Sequence, residues 1–316
     1  MIKFFMSNDP VKTIALLGAT ASGKSALALE LVRKFGGVIL SLDSLSLYRH
    51  IDIASAKPSK DELRSAPHYG IDLLDPDQPF NVVRYFELYR EAYAHAQSLN
   101  VPLFLVGGSS FYLKTLLEGI SPLPTIDPEI KRRVEEAMEE LPTAYRLLQK
   151  LSPSTAAKLS SSDRYRIEKA LLIALQTGME PLEYFAANPP KPVVDPPAKL
   201  FELTVEPARL RQRISQRTHA MLQAGLVDEV CMLESRYTRA PQSMKAIGIA
   251  EVLAYLDGRY DYREMAERIT IHTAQLAKRQ RTFNRSQFKE VFRGEAKEIE
   301  REVEAYLRST ESVNSR

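Results

Sequence analysis

The chain has 316 residues, 44% of them hydrophobic and 26% charged, with a formal net charge of +3. That length and apolar content allow a large buried core and leave room for two domains, while the nearly balanced charge excludes a bulk polycation, so any nucleic-acid role must come from local clustering. A single cysteine, Cys231, excludes a disulfide framework and a cysteine-rich zinc site and fits a reducing compartment.

In chain order, the amino-terminal MIKFFMSNDP has too short an apolar stretch for a signal peptide, and no window approaches a membrane span. The expectation is a soluble, cytoplasmic protein. The apolar run Ile14 to Leu17 reads as a strand. It enters the turn Gly18-Ala19-Thr20-Ala21-Ser22-Gly23, followed by Lys24-Ser25 and a helical pattern through Leu27, Leu31 and Phe35. This GxxxxGK[ST] spacing lets backbone N–H groups, the helix N-terminus and the Lys24 ammonium converge on a diphosphate, and the Ser25 hydroxyl can hold magnesium. A second strand, Val38 to Leu40, delivers Asp43 to its carboxyl end, where open α/β sheets place their ligands. Asp43 is then a magnesium-holding acid or a general base, and the diphosphate belongs to ATP or to another substrate; the spacing leaves both open.

Lys57, in the small-residue loop after Asp52, reads as a solvated side chain. Tyr69 to Leu74 reads as a strand, Val82 to Leu99 as an amphipathic helix, and Pro102 to Val106 as a central parallel strand ending at Gly107-Gly108-Ser109-Ser110 before a helix through Leu113 and Leu117. The alternation predicts an α/β fold, a P-loop NTPase-like doubly wound parallel sheet, with the phosphate loop, Asp43 and Ser109 in one crevice. From Pro128 to about Ala187 only helical patterns appear, between the prolines at Pro122 and Pro124 and the proline-rich Asn188 to Pro197. The predicted organisation is a core of residues 1–124 and 198–316 with an all-helical insertion at 125–197.

Strand character returns at Leu200 to Val205. In the helix from Pro207 to Ala224, Arg217 lies within the stripe of Leu210, Ile214 and Met221, so it must meet an anion, either a structural carboxylate or a ligand phosphate; Arg209, Arg211 and Arg213 project elsewhere. Lys245 and Gly248 open a further helix. The long helix from Asp261 to Phe288 sets Ile269, Leu276 and Phe283 opposite Lys278, Arg281 and Arg285, a face that is either solvated or a phosphate track. The five histidines, His50, His68, His95, His219 and His272, lack metal-ligand spacing and read as surface or packing residues. Residues 309–316 read as frayed.

Together these residues resemble one family, the tRNA dimethylallyltransferases. GATASGKS resembles its GPTASGK[ST], SLDSLSLY its SxDSxxxY and DIASAKP its DIGTAKP; LVGGSSFYLKTLLEG resembles its GGTxxY helix and QLAKRQRTF its QLAKRQxTW. The matches run in order to about Arg285. The resemblance implies transfer of the dimethylallyl group from dimethylallyl diphosphate to N6 of the adenine 3′-adjacent to the anticodon, in tRNAs reading codons that begin with U. It implies that the leaving diphosphate is held by the backbone of Gly18, Ala19, Thr20, Ala21, Ser22 and Gly23, by Lys24, Ser25 and Arg217, and by Mg2+ near Ser25. Asp43 would be the general base, and Ser109, standing where the family has threonine, would contact the diphosphate or the base. The implied partner is the tRNA anticodon stem-loop. Its contacts would be Asp43, Ser44, Leu45, Ser46, Ser109, Lys131, Tyr165, Arg166, Lys169, Lys245, Gly248, Lys278, Arg279, Gln280, Arg281 and Arg285. Independently of the resemblance, the sequence pattern carries no large unexplained apolar face, so the expected state is a monomer.

The chain departs from the pattern at Tyr165 to Leu171 (family QRxxRAL), at Ile249 (family IGY) and at Phe283 (family TW). It contains no tryptophan, and one cysteine precludes the zinc finger of some eukaryotic members. Three rival readings are a small-molecule kinase with ATP in the loop, a prenyltransferase acting on free AMP, and an RNA-associated nucleotide-binding protein without chemistry of its own.

Overall fold

The computed structural model describes residues 10–195 and 197–309; the first nine residues and the stretch from 310 to 316, most of the segment expected to fray, lie outside them. Strands β1 (Thr13–Gly18), β2 (Val38–Ser41), β3 (His68–Tyr69), β4 (Leu103–Val106), β5 (Lys199–Leu203) and β6 (Phe292–Gly294) form one sheet in the order β3-β2-β4-β1-β5-β6, every pairing parallel. Every residue of β1 and β4 is buried, as continuous apolar runs require of central strands covered on both faces. Ile14, Leu16, Phe104 and Phe201 pack with Leu27 and Leu31 of the helix Lys24–Phe35 and with Ile299 and Val303 of the helix Ala296–Arg308.

Strand β1 is central, with β5 on one side and β4 on the other, so the carboxyl ends of β1, β2 and β4 open into one crevice. A Cβ at Gly107 would lie 2.2 Å from the Leu42 carbonyl oxygen. The glycine therefore allows the tails of β2 and β4 to close up: Leu42 N–H donates to Val106 O (2.7 Å) and Ser109 N–H to Leu42 O (2.9 Å). This is how two residues some 66 positions apart, Asp43 and Ser109, come to share one edge of the sheet.

The strand expected at Tyr69 to Leu74 is confined to His68–Tyr69, with only an isolated bridge between Tyr48 and Leu74 beyond it. Lys57 is the reason, and it overturns its own expected solvation. Its side chain is only 4% exposed, and Nζ donates to Tyr48 O (2.6 Å), Asp52 Oδ1 (2.7 Å) and Asp72 Oδ1 (2.6 Å), pulling the chain into a loop where Asp72 takes a φ of +54°. The same loop is held from its other side by the Glu229 carboxylate, which accepts the N–H groups of Asp52 (2.9 Å), Ile53 (2.7 Å) and Ala54 (2.9 Å).

After β5, the helices Pro207–Gln223, Leu226–Tyr237, Ile249–Leu256 and Tyr262–Gln287 build a second apolar cluster around Leu222, Leu226, Val230, Leu233, Val252, Met265 and Ile269. The last of these helices returns to the sheet: Asn284 Nδ2 donates to Glu202 Oε1 (2.8 Å) on β5, and Arg293 Nε on β6 to Glu202 Oε2 (2.8 Å). Strand β6 was not expected from the sequence, since three residues with one apolar side chain carry no periodicity, whereas the helix Ala296–Arg308 is one of the helices expected at the carboxyl end of the core.

Residues Glu118–Val193 form a second compact unit, while Met1–Leu117 and Val194–Arg316 form the first. The second unit is helical throughout: Pro128–Ala137, Leu141–Leu151, Pro153–Ala156, Arg164–Thr177 and Pro181–Ala187. Asp127 and Asp163 cap two of these helices through their carboxylates, and Val134, Leu148, Ile167 and Leu171 form the centre of its core. Its two ends run side by side, for a Cβ at Gly119 would lie 1.9 Å from the Lys191 carbonyl oxygen. The unit accordingly begins and ends earlier than the segment 125–197 read from the prolines.

Glu202 is buried and serves two donors, so its truncation strands both. Glu202→Ala should lower the unfolding free energy by about 3 kcal/mol, read from urea denaturation of the first unit's transition, with Glu202→Gln intermediate.

Candidate active site

The site starts where β1 ends. Gly23 takes a φ of +99° at the N-cap of the helix Lys24–Phe35, a conformation glycine reaches without a Cβ penalty, and Ala21 holds a φ of +61° within the turn. These left-handed steps fold the loop back over the helix N-terminus. Lys24 lies half-buried beneath it, its Nζ 3.4 Å from the Ala19 carbonyl oxygen. Burial pushes its pKa down to about 8, with the Asp43 charge opposing the shift and the Arg217 charge adding to it.

Two arginines of the helix Pro207–Gln223 close on the same loop. Arg217 Nη1 lies 3.4 Å from Thr20 Oγ1, and Arg213 Nη1 donates to the Ser22 carbonyl (2.7 Å). Burial lowers the Arg217 pKa, again opposed by Asp43. Lys24, Arg213 and Arg217 form no salt bridge among the described residues. Of the two partners open to Arg217 from its position on the helix, the structural carboxylate is therefore not there. Arg213 was expected to project elsewhere. Its spacing of four from Arg217 puts both on neighbouring turns of one face, the signal that could have identified it.

Asp43, just past β2, is held closely. Its Oδ1 accepts the Leu45 N–H (2.9 Å), and its backbone carbonyl accepts both Ser46 Oγ (3.0 Å) and the Tyr85 hydroxyl (3.2 Å). Ser109 Oγ accepts the Ser44 N–H (3.3 Å) across the gap that Gly107 permits. A cavity of about 990 Å³ is lined by Thr20, Asp43, Ser44, Leu45, Ser109, Arg217, Lys245, Arg279 and Gln280, so the structure brings these expected site residues together. Burial, followed by the Tyr48 and Asp43 charges, pushes the phenol of Tyr112 on the cavity wall up to about 12.

Other expected contacts stand differently. Gln280 is not free to meet a ligand with its amide: Oε1 accepts the Thr20 N–H (2.8 Å) and Nε2 donates to the Gly108 carbonyl (2.9 Å), so it braces the phosphate loop against the turn after β4. Gly248 is buried and its N–H is bound to Glu251 Oε2 (2.6 Å); its φ of +96° turns the chain into the next helix. Ser46 is buried and gives its hydroxyl to the Asp43 and Gly70 carbonyls. Lys278, Arg281 and Arg285 lie outside the cavity lining, with Lys278 and Arg285 exposed. In the helical unit, Tyr165 is 70% exposed with the Lys169 ammonium 5.6 Å from its ring centroid, Arg166 lies 3.5 Å from Asp163, and Lys131 lies 3.8 Å from Glu135. His272, expected to be a packing or surface residue, bonds the buried Glu251 through Nδ1.

The family model described as IPP transferase matches residues 46–287, and the one described as isopentenyl transferase matches residues 11–72. The chain is 50% identical over 294 residues to a tRNA dimethylallyltransferase of Sulfurovum sp. (strain NBC37-1), covering 93% of this chain and 98% of that protein. It is 49% identical over 294 residues to a tRNA dimethylallyltransferase of Wolinella succinogenes, with coverage of 93% and 98%. Among solved structures it is similar to the full-length tRNA isopentenylpyrophosphate transferase of Bacillus halodurans, with a TM-score of 0.69 and 26% identity over 96% of this chain and 99% of the other. It shares its fold with a eukaryotic dimethylallyltransferase acting on tRNA, at a TM-score of 0.79 and 24% identity, covering 90% of this chain and 74% of that one.

The lowered Lys24 pKa sets a pH dependence for anion binding. Below about 8 the ammonium is already charged and affinity is flat; above it, each bound anion must draw a proton back onto Lys24, so affinity falls by up to tenfold per pH unit. Calorimetric titration with inorganic diphosphate between pH 7 and 10 should show proton uptake growing above pH 8, and Lys24→Met should abolish both the uptake and the slope.

Proposed function

The chain belongs to the tRNA dimethylallyltransferase family, and we propose that it moves the dimethylallyl group of dimethylallyl diphosphate onto N6 of the adenine 3′-adjacent to the anticodon, in tRNAs reading codons that begin with U. It is a tRNA-modifying prenyltransferase. The observation that carries the finer reading is one cavity whose wall joins a loop flanked by three cations without carboxylate partners, at Lys24, Arg213 and Arg217, to Asp43 and Ser109. Its volume falls within the range of ligand pockets, which suits a flipped adenine together with a five-carbon chain.

In this reading the allylic C–O bond breaks and its electron pair leaves with the diphosphate. The developing charge is met by the Gly18 to Gly23 backbone and by Lys24, Arg213 and Arg217, which flank it. The N6 lone pair forms the new C–N bond, and the N6 proton passes to the Asp43 carboxylate. An aromatic amine is a poor nucleophile until that proton leaves, so a base on the cavity wall is needed as much as the anion cradle. Ser109 is placed to orient the adenine or the diphosphate.

Magnesium fits the donors at the loop. Ser25 is exposed at the helix start, on the wall of a smaller cavity of about 140 Å³, and its hydroxyl is a hard oxygen ligand. No group of three His, Cys, Asp or Glu side chains among the described residues could hold a metal alone, which suits an ion that leans on substrate phosphates and water. Bound there, it would neutralise charge on the leaving diphosphate. Action as a cytoplasmic monomer completes the proposal; no helix among the described residues is long and apolar enough to cross a membrane.

Labelled dimethylallyl diphosphate offered with undermodified tRNA, with AMP as competing acceptor and ATP phosphotransfer assayed beside it, tests the donor and acceptor. Label is expected in the anticodon-loop adenine; label in AMP alone, or phosphate transfer from ATP, would reject the reading. Asp43→Asn should cut turnover by about 10³-fold while stem-loop affinity stays within twofold. Replacing Lys278, Arg281 and Arg285 by glutamine together should lessen the slope of log affinity against log salt by about two, and an unchanged slope would make that face merely solvated.

A further inference from the structure

We propose that Tyr85 is a positioning residue for Asp43, acting through a hydrogen bond to the Asp43 backbone carbonyl. The inference rests on the reading of Asp43 as the base. Tyr85 occupies the first turn of the helix Val83–Leu99 and is completely buried, yet its hydroxyl is not spent on its own helix: it reaches across to Asp43 O at 3.2 Å. Burial pushes this phenol well above its ordinary pKa, so throughout the working pH range it remains a neutral donor.

Asp43 needs such a tie. It follows β2 by two residues, outside the regular ladder, and a general base must be aimed within a fraction of an ångström of the proton it takes. Three donors fix it. Leu45 N–H occupies Oδ1 at 2.9 Å, while Ser46 Oγ and Tyr85 OH converge on the backbone carbonyl at 3.0 and 3.2 Å. With the peptide plane and one carboxylate oxygen held, Oδ2 is left without a protein donor among the described residues and is the oxygen available to receive the N6 proton. Ser46 comes from the same turn as Asp43 and moves with it. Tyr85 is the donor supplied by a different element and therefore the one that ties Asp43 to the fixed frame of the sheet and helix.

The Tyr85 ring has a second contact that reinforces the first. It packs 4.2 Å from Tyr112 and 5.2 Å from Phe80, centroid to centroid, and both of these side chains line the large cavity. The ring is thus wedged behind the cavity wall, which fixes the direction in which its hydroxyl points. Deleting the hydroxyl alone, with the ring kept, separates the tie from the packing.

Tyr85→Phe should lower kcat for prenyl transfer by about tenfold while KM for dimethylallyl diphosphate, stem-loop affinity and the thermal unfolding midpoint stay close to those of the parent enzyme. Placed in an Asp43→Asn background, Tyr85→Phe should cost nothing further, because the group it aims is gone. Unchanged kcat in Tyr85→Phe overturns the proposal, as does a loss that tracks a lowered unfolding midpoint or that persists in full beside Asp43→Asn. The failure of the underlying reading looks different: Asp43→Asn would then turn over normally, whatever Tyr85→Phe does.

Discussion

The constraint on which the rest depends is the burial of cationic charge without a carboxylate to meet it. Lys24 and Arg217 are partly withdrawn from water and given only a carbonyl at 3.4 Å and a hydroxyl at 3.4 Å in return. Charges treated this way ordinarily pair or neutralise, and the fall of the Lys24 pKa to about 8 records how far neutralisation has gone. Asp43 opposes the shift from across the crevice without joining the cations in a salt bridge, so its carboxylate and their charges stay separate. A site arranged so is completed by an anion, and its affinity for one is drawn from desolvation the fold has already undergone.

Holding charges in that state requires a rigid frame, and the long helix Tyr262–Gln287 supplies much of it. Ile269 and Met265 anchor it in the helical cluster, Gln280 bridges the phosphate loop to the turn after β4, and Asn284 ties its end to Glu202 on β5. Gly108 leaves room for that amide, since a Cβ there would lie 2.4 Å from Gln280 Nε2 and push the side chain aside. One helix therefore carries Arg279 on the cavity, Lys278 and Arg285 on its outer face, and between them the amide that fixes the loop. Structural and ligand-facing roles alternate along it with the helical period.

Much of this was legible in the sequence, because local rules governed it. The strand, glycine turn and helix around Lys24, the carboxyl-end placement of Asp43 and Ser109, and the alternation that gives a parallel sheet are all set by residues near one another in the chain. What was not legible depended on partners far away. Lys57 was read as solvated because neither Asp72 nor the Tyr48 carbonyl can be assigned to it from spacing. Gln280 was read as an RNA contact from the resemblance of its motif alone, whereas its amide answers to Thr20, some 260 positions earlier. Gly248 was read as an RNA contact from the family resemblance, whereas its buried N–H and positive φ serve the turn itself. Strand β6 is too short to announce itself and exists because β5 offers it an edge.

The order of strands in space also differs from their order of appearance, and this has a consequence for biosynthesis. Strand β1 emerges first, but its neighbour β5 belongs to residues 199–203, and the helical unit Glu118–Val193 lies between them in the chain. At translation rates of roughly 5–20 residues per second, one edge of this fully buried strand stays unpaired for on the order of 10–40 s. The helical unit is contiguous and has its own core, so it can form during that interval without the sheet. The nascent chain thus carries an unpaired strand edge through the whole synthesis of the helical unit, an interval in which that edge is open to pairing with other chains.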